Sequence, residues 1–162
     1  MLKSKKRNKK IMFTELNNKS NEVAFVYKLG EKEFDLANVG ISKGTEHEVE
    51  PFSSTTAFHL LKTSKECVLV CLHNHPSGSI ISLSDIMFLL LYDNVKMIIA
   101  VTNLGSISYV VKNKKYNKEK ASKLYSEAVK LSNKSKNIKE MQDAVKHFIK
   151  SCKNVGIIYQ VN

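Results

Sequence analysis

The run Cys67-Val68-Leu69-Val70-Cys71-Leu72 is continuously apolar, is bounded by polar residues and leads directly into His73-Asn74-His75-Pro76. A strand with one wet face alternates apolar and polar side chains. An unbroken apolar run belongs to a strand covered on both faces, the usual condition in parallel and mixed sheets. The segments around it suit such a sheet. Residues 23–29 are apolar and β-favouring and end at Gly30, and residues 34–42 form a second such segment, so Gly30-Glu31-Lys32 is expected to be a hairpin turn. After Pro51, the Ser53/Ser54 pair offers an N-cap for a helix that carries Ala57, Phe58, Leu60 and Leu61 on its buried side and ends near Ser64. A turn region over 73–82 precedes an apolar helix over 83–92 and a strand over 95–102. Asn103-Leu104-Gly105 then turns the chain into a strand over 107–111. This alternation predicts an α/β fold, a mixed β-sheet flanked by helices.

Beyond residue 112 the period changes. Ala121, Leu124, Tyr125, Ala128 and Leu131 form one helical stripe, and Ile138, Met141, Val145, Phe148, Ile149 and Cys152 form another. Asn137 with Glu140 has capping-box spacing for the second helix, and Gly156 is a stop before a last strand over 157–161. Three stretches are therefore expected: a basic mobile arm over 1–20 that docks, if at all, through Ile11-Met12-Phe13; a domain over 21–113; and a Lys-rich helical C-terminal extension over 114–162.

The net charge of +11 is uneven. Residues 1–10 hold six bases and no acid, residues 21–111 hold six bases and ten acids, and residues 112–162 hold thirteen bases and four acids. Basic flanks attract anionic surfaces. Here every base but Arg7 is Lys, a point charge without the planar fork that reads phosphate or guanine, so weak nonspecific nucleic-acid binding is the most these flanks imply. The longest apolar run, residues 86–92, has seven residues against the roughly 20 of a membrane-spanning helix. No membrane association is expected, and the basic start has no apolar segment of a secretory kind behind it, which points to a cytoplasmic address. Three cysteines without a CxxC pair suggest neither a disulfide scaffold nor a cysteine-based metal site.

Chemistry concentrates in His73-Asn74-His75-Pro76-Ser77-Gly78-Ser79-Ile80-Ile81-Ser82-Leu83-Ser84-Asp85. If the backbone is still extended at the histidines, alternation projects His73 and His75 to one side, where two imidazoles can share an ion. A catalytic metal takes a third protein ligand and keeps one place for water. Asp85, in the first turn of the next helix, is the carboxylate that the Pro-Ser-Gly turn can bring back, and the positive end of the helix dipole keeps it ionised. The same Ser82-x-x-Asp85 spacing is also that of an ordinary N-cap and its first-turn acid. Cys71 shares the parity of His73 but is expected to be a small buried thiol, and His47 and His59 are expected at the surface or behind the ligands.

The segment resembles the metal signature of the JAMM (MPN-type) metalloproteases, H-x-H-P followed by S-x-x-D, and its wording is closest to their RadC-like branch. Ile41-Ser42-Lys43-Gly44-Thr45 is similar to the S-x-G-T element of that branch, and Glu22 stands before the opening strand where those domains carry a Glu. The resemblance implies JAMM/MPN-like, cytidine-deaminase-like layering; Zn2+ held by His73, His75 and Asp85; a water activated by an upstream Glu; and Ser82 stabilising the oxyanion, with Ser84 close by. Among the upstream acids Glu22 is the expected base and Glu48 the reserve, while Glu31 and Glu33 belong to a turn and Glu46, Glu48 and Glu50 to a loop near the site. The implied activity is hydrolysis of a peptide or isopeptide amide in a polypeptide or ubiquitin-like conjugate. The alternative is an inactive JAMM-like binding module or a Lys-rich nucleic-acid or assembly adaptor.

Overall fold

The computed structural model describes residues 21–30, 38–76 and 80–162. The basic arm over 1–20, Glu31-Lys32 of the expected hairpin turn with Glu33, the front of the second expected strand, and Ser77-Gly78 of the turn after the histidines lie outside the described residues. The elements are β1 (Val23–Lys28), β2 (Gly40–Lys43), α1 (Thr55–Thr63), β3 (Leu69–His75), α2 (Leu83–Leu91), β4 (Val95–Thr102), β5 (Ile107–Lys112), α3 (Lys118–Ser132), α4 (Ile138–Ser151), a 3-10 turn (Cys152–Val155) and β6 (Ile157–Val161). The strands form one six-stranded sheet in the order β2-β1-β3-β4-β5-β6. β3 and β4 are parallel, joined through α2, and every other neighbouring pair is antiparallel. Among the described residues the fold is thus α/β, a mixed sheet with four helices.

β3 is central and buried along nearly its whole length, as its unbroken apolar run requires. Its ends differ from expectation. Cys67 takes a left-handed φ of 54°, so the strand starts at Leu69. At the other end, parallel pairing with β4 continues through His73↔Ala100 and His75↔Thr102, so the two histidines belong to the strand rather than to the following turn. The first hairpin is described only towards its base, where Val26 pairs with Gly40, and the expected turn lies outside the described residues beyond Gly30, which has a left-handed φ of 85°.

Period two divides the sheet. Ala24, Val26, Cys71, Ile98, Ala100 and Val110 join one cluster with Ala57 of α1, Ile86, Leu89 and Leu90 of α2, Ala121, Leu124 and Ala128 of α3, and Phe148 of α4. Val23 and Phe25, with Val39, form a second cluster packed against Tyr27, Ile41 and Leu72. Residues 114–162 are part of the first core, and β6 completes the sheet beside β5. Lys112 ties the two parts together: its buried ammonium donates to the Tyr92 carbonyl at 2.8 Å, at the C-terminal end of α2 where the helix dipole favours a cation. It also lies 5.0 Å from the Tyr116 ring centroid.

Ser54 caps α1 by accepting from the Ala57 N–H. Of the four residues expected on its buried side only Ala57 is buried; Leu60 and Leu61 are partly so, and Phe58 is 51% exposed. α1 lies so close to β2 that only a small residue fits between them. A Cβ added to Gly40 would overlap the backbone of Ala57, so Gly40→Ala should destabilise the protein by about 1–3 kcal/mol. Chemical denaturation measures this, and an unchanged midpoint would contradict the packing. In α3 and α4, Leu131 and Met141 are exposed although the periodicity put them on the apolar stripes, while Ala144, outside the stripe, is buried.

Candidate metal centre

Strand alternation places Cys71, His73 and His75 on the helix-bearing side of β3, and the extended backbone brings the two imidazoles together, their Nε2 atoms 2.8 Å apart. Asp85 reaches them from the first turn of α2. Its Oδ1 lies 3.0 Å from His73 Nε2 and its Oδ2 3.6 Å from His75 Nε2. Ligand atoms of the three residues all lie within 4.8 Å of one another.

Ser82 fixes the carboxylate. Its backbone N–H and its hydroxyl each donate to Asp85 Oδ2 at 2.7 Å, and the Asp85 N–H donates to Ser82 Oγ at 3.2 Å. The spacing therefore serves as a capping box and at the same time fixes the candidate ligand Asp85. Metal–ligand bonds of about 2.0–2.1 Å put tetrahedral ligands roughly 3.3 Å apart; the separations above are of that order, with His73 facing one Asp85 oxygen and His75 the other. Two imidazole nitrogens and a carboxylate suit a divalent ion of borderline softness.

The three groups interact strongly through their charges. Burial alone would push the His73 imidazole down, but the charge and hydrogen bond of Asp85, with a lesser share from Cys71, hold it well above its ordinary value. Burial would raise Asp85, yet His73, His75 and the Ser82 N–H keep it well below the usual carboxylate range. Metal uptake must then displace a proton from His73. Apparent affinity should rise with pH as that proton becomes easier to remove, over a range above the ordinary histidine value. Calorimetric titration in buffers of different ionisation enthalpy checks this, and a pH-independent affinity without proton release would contradict it.

Glu22 lies at the mouth of β1 and is buried, and it lines the same cavity as His73, His75, Ser82 and Asp85. Desolvation raises its pKa; Asp85 and Glu48 add to the rise, and His73 and His47 oppose it. Its backbone is held from two sides. The Glu22 N–H donates to the Thr45 carbonyl at 2.6 Å, and its carbonyl accepts from the Gly44 N–H at 2.9 Å. Asn74, fully buried on the opposite side of β3 from the histidines, brackets Glu22: Oδ1 accepts from the Val23 N–H at 2.6 Å, and Nδ2 donates to the Asn21 carbonyl at 3.1 Å. Sequence reasoning passed over Asn74. The available signal was a polar residue within a strand covered on both faces, which must find buried partners.

Glu46, Glu48 and Glu50 line the cavity from the loop before α1, with His47; Ser84 also lines it, and His59 is exposed on α1. Cys71 is buried, and burial raises its thiol. Glu31 and Glu33 lie outside the described residues. No helix among the described residues is long and apolar enough to cross a membrane. No protein-family model matches the chain, and comparisons with the curated proteins and with the solved structures give no match.

Proposed function

We propose that the protein is a zinc-dependent hydrolase of JAMM type that cleaves a peptide or isopeptide amide. The observation that carries this is the meeting of His73, His75 and Asp85 in one cleft with a buried glutamate, Glu22, which immediately precedes β1, the neighbour of the histidine strand. Three protein ligands leave a fourth place for water, the arrangement of catalytic rather than structural zinc. When bound, zinc acidifies a water to a pKa of about 7 and polarises a carbonyl oxygen.

The chain supplies the rest. Glu22 accepts the proton that the attacking water loses as its oxygen bonds to the amide carbon. Glu22 then delivers this proton to the nitrogen as the C–N bond breaks, leaving a carboxylic acid and an amine, which exchange a proton to become carboxylate and ammonium. A raised pKa suits this double duty, because the group must take a proton and give it back near neutral pH. Ser82 lines the cleft, and its hydroxyl, resting on Asp85, can turn to the developing oxyanion, a contribution of about 2.7–4 kcal/mol by analogy with other such donors.

The test is direct. The zinc-loaded full chain, incubated with a library of internally quenched peptides and lysine-isopeptides, should cut an amide in a way that a chelator abolishes and added zinc restores. Cleavage indifferent to chelation would contradict the proposal, and an intact library with zinc bound would favour a binding module.

A further inference from the structure

The cavity that holds the three candidate ligands has a volume of about 480 Å³, within the roughly 300–1,000 Å³ of sites for small ligands. Its wall is unlike the chain around it. The protein has 26 Lys and Arg residues against 15 acids. Yet among the described residues no Lys or Arg lines this cavity, whereas Glu46, Glu48 and Glu50 stand on one rim and Glu22 and Asp85 lie deeper. Three histidines also line it, and His47 lies 3.4 Å from Glu46, but the five carboxylates outnumber them, and clefts dominated by one sign of charge concentrate ligands of the other sign.

The lining is also divided in a way that bare acidity does not explain. Val49, Met87 and Phe88 add apolar side chains to the same lining, with Met87 47% exposed although it is a large apolar side chain. Phe88 is held in place by Phe52 and Tyr92, whose ring centroids lie 5.2 and 4.8 Å away. The rim is likewise fixed. The Thr45 N–H donates to the Glu48 carbonyl at 2.8 Å, and Thr45 Oγ1 accepts from the His47 and Glu48 N–H groups at 3.3 Å. A cleft that combines apolar side chains with exposed carboxylates is complementary to one side-chain type in particular: an aliphatic stem that ends in a cation.

We infer that the cleft selects a polypeptide carrying a lysine-like cationic side chain beside the amide to be hydrolysed, with its stem along Val49, Met87 and Phe88 and its ammonium among Glu46, Glu48 and Glu50. This rests on the hydrolase proposed above and adds the chemistry of its substrate. Because the rim acids are exposed, the attraction is screened by salt.

Hydroxamates, which bind an active-site metal without being turned over, separate the two ideas. The Nα-acetylated hydroxamates of lysine, norleucine and glutamate would be titrated into the zinc-loaded full chain at low and at high salt. At low salt lysine should bind about tenfold more tightly than norleucine, its uncharged analogue of similar length, and glutamate should bind most weakly. The lysine preference should shrink towards unity at about 1 M salt, where the screening length is about 3 Å. It should also shrink in Glu46→Gln/Glu50→Gln, with zinc content as the check on folding. Lysine and norleucine binding equally at low salt would overturn the inference while leaving the metal centre standing, as would a lysine preference that salt and the double variant leave intact. Failure of all three to bind, or equal binding to zinc-free protein, would overturn the metal-centre proposal and with it the inference.

Discussion

Replacing His75 with alanine should leave a folded protein that no longer holds zinc. The wild-type chain should purify with, or take up, about one ion per chain, since three ligands and one water complete a single tetrahedral site. His75→Ala removes one of the two imidazoles. Changes behind a ligand cost about 10–100-fold in metal affinity, so loss of a ligand itself should exceed 100-fold. The fold should survive, because the β3–β4 pairing at His75↔Thr102 uses backbone groups and Ser82 continues to hold Asp85. Thermal stability separates the two effects: at 100 times its Kd, zinc should stabilise the wild type by about 2.7 kcal/mol, and the variant should show no zinc-dependent gain. Undiminished zinc binding in the variant would remove His75 from the site.

Glu22→Gln should do the reverse, keeping the ion and losing the chemistry. Glutamine preserves the size of the side chain but cannot carry a proton from water to the leaving nitrogen, and losing a general base costs about 10²–10⁴ in rate. In the wild type, kcat/KM should fall as acidification protonates Glu22. The midpoint of that fall should lie above the ordinary glutamate range, the direction in which burial moves this group. Zinc content and KM for a cleaved peptide should change little. A variant that cuts as fast as the wild type would move the role of base to another acid of the cleft, Glu48 first.

What the sequence made legible was local. The unbroken apolar run identified the central strand, Ser82 and Asp85 marked the start of α2, and the two-residue spacing of His73 and His75 gave their shared direction once the backbone is extended. Each of these depends on neighbours a few residues apart. The unread features depend on distant partners. β3 continues through His75 because β4 offers its backbone as far as Thr102, a pairing that apolar content alone does not reveal. Asn74 acts on residues 51 and 53 positions away, and its position between two histidines drew no notice because its side chain faces the other way. Phe58 fits the apolar period of α1 yet lies outside the core, since the approach of α1 to the sheet is set by Gly40 and Ala57 rather than by its bulkiest residue.

The position of the ion is the most direct test. Crystals of the full chain grown with zinc and measured on both sides of the zinc absorption edge should show an anomalous peak within bonding distance of His73 Nε2, His75 Nε2 and an oxygen of Asp85. Glu22 should face the remaining coordination place. Zinc bound elsewhere on the chain, or a loaded crystal with no peak among these three side chains, would contradict the metal centre and the chemistry built upon it.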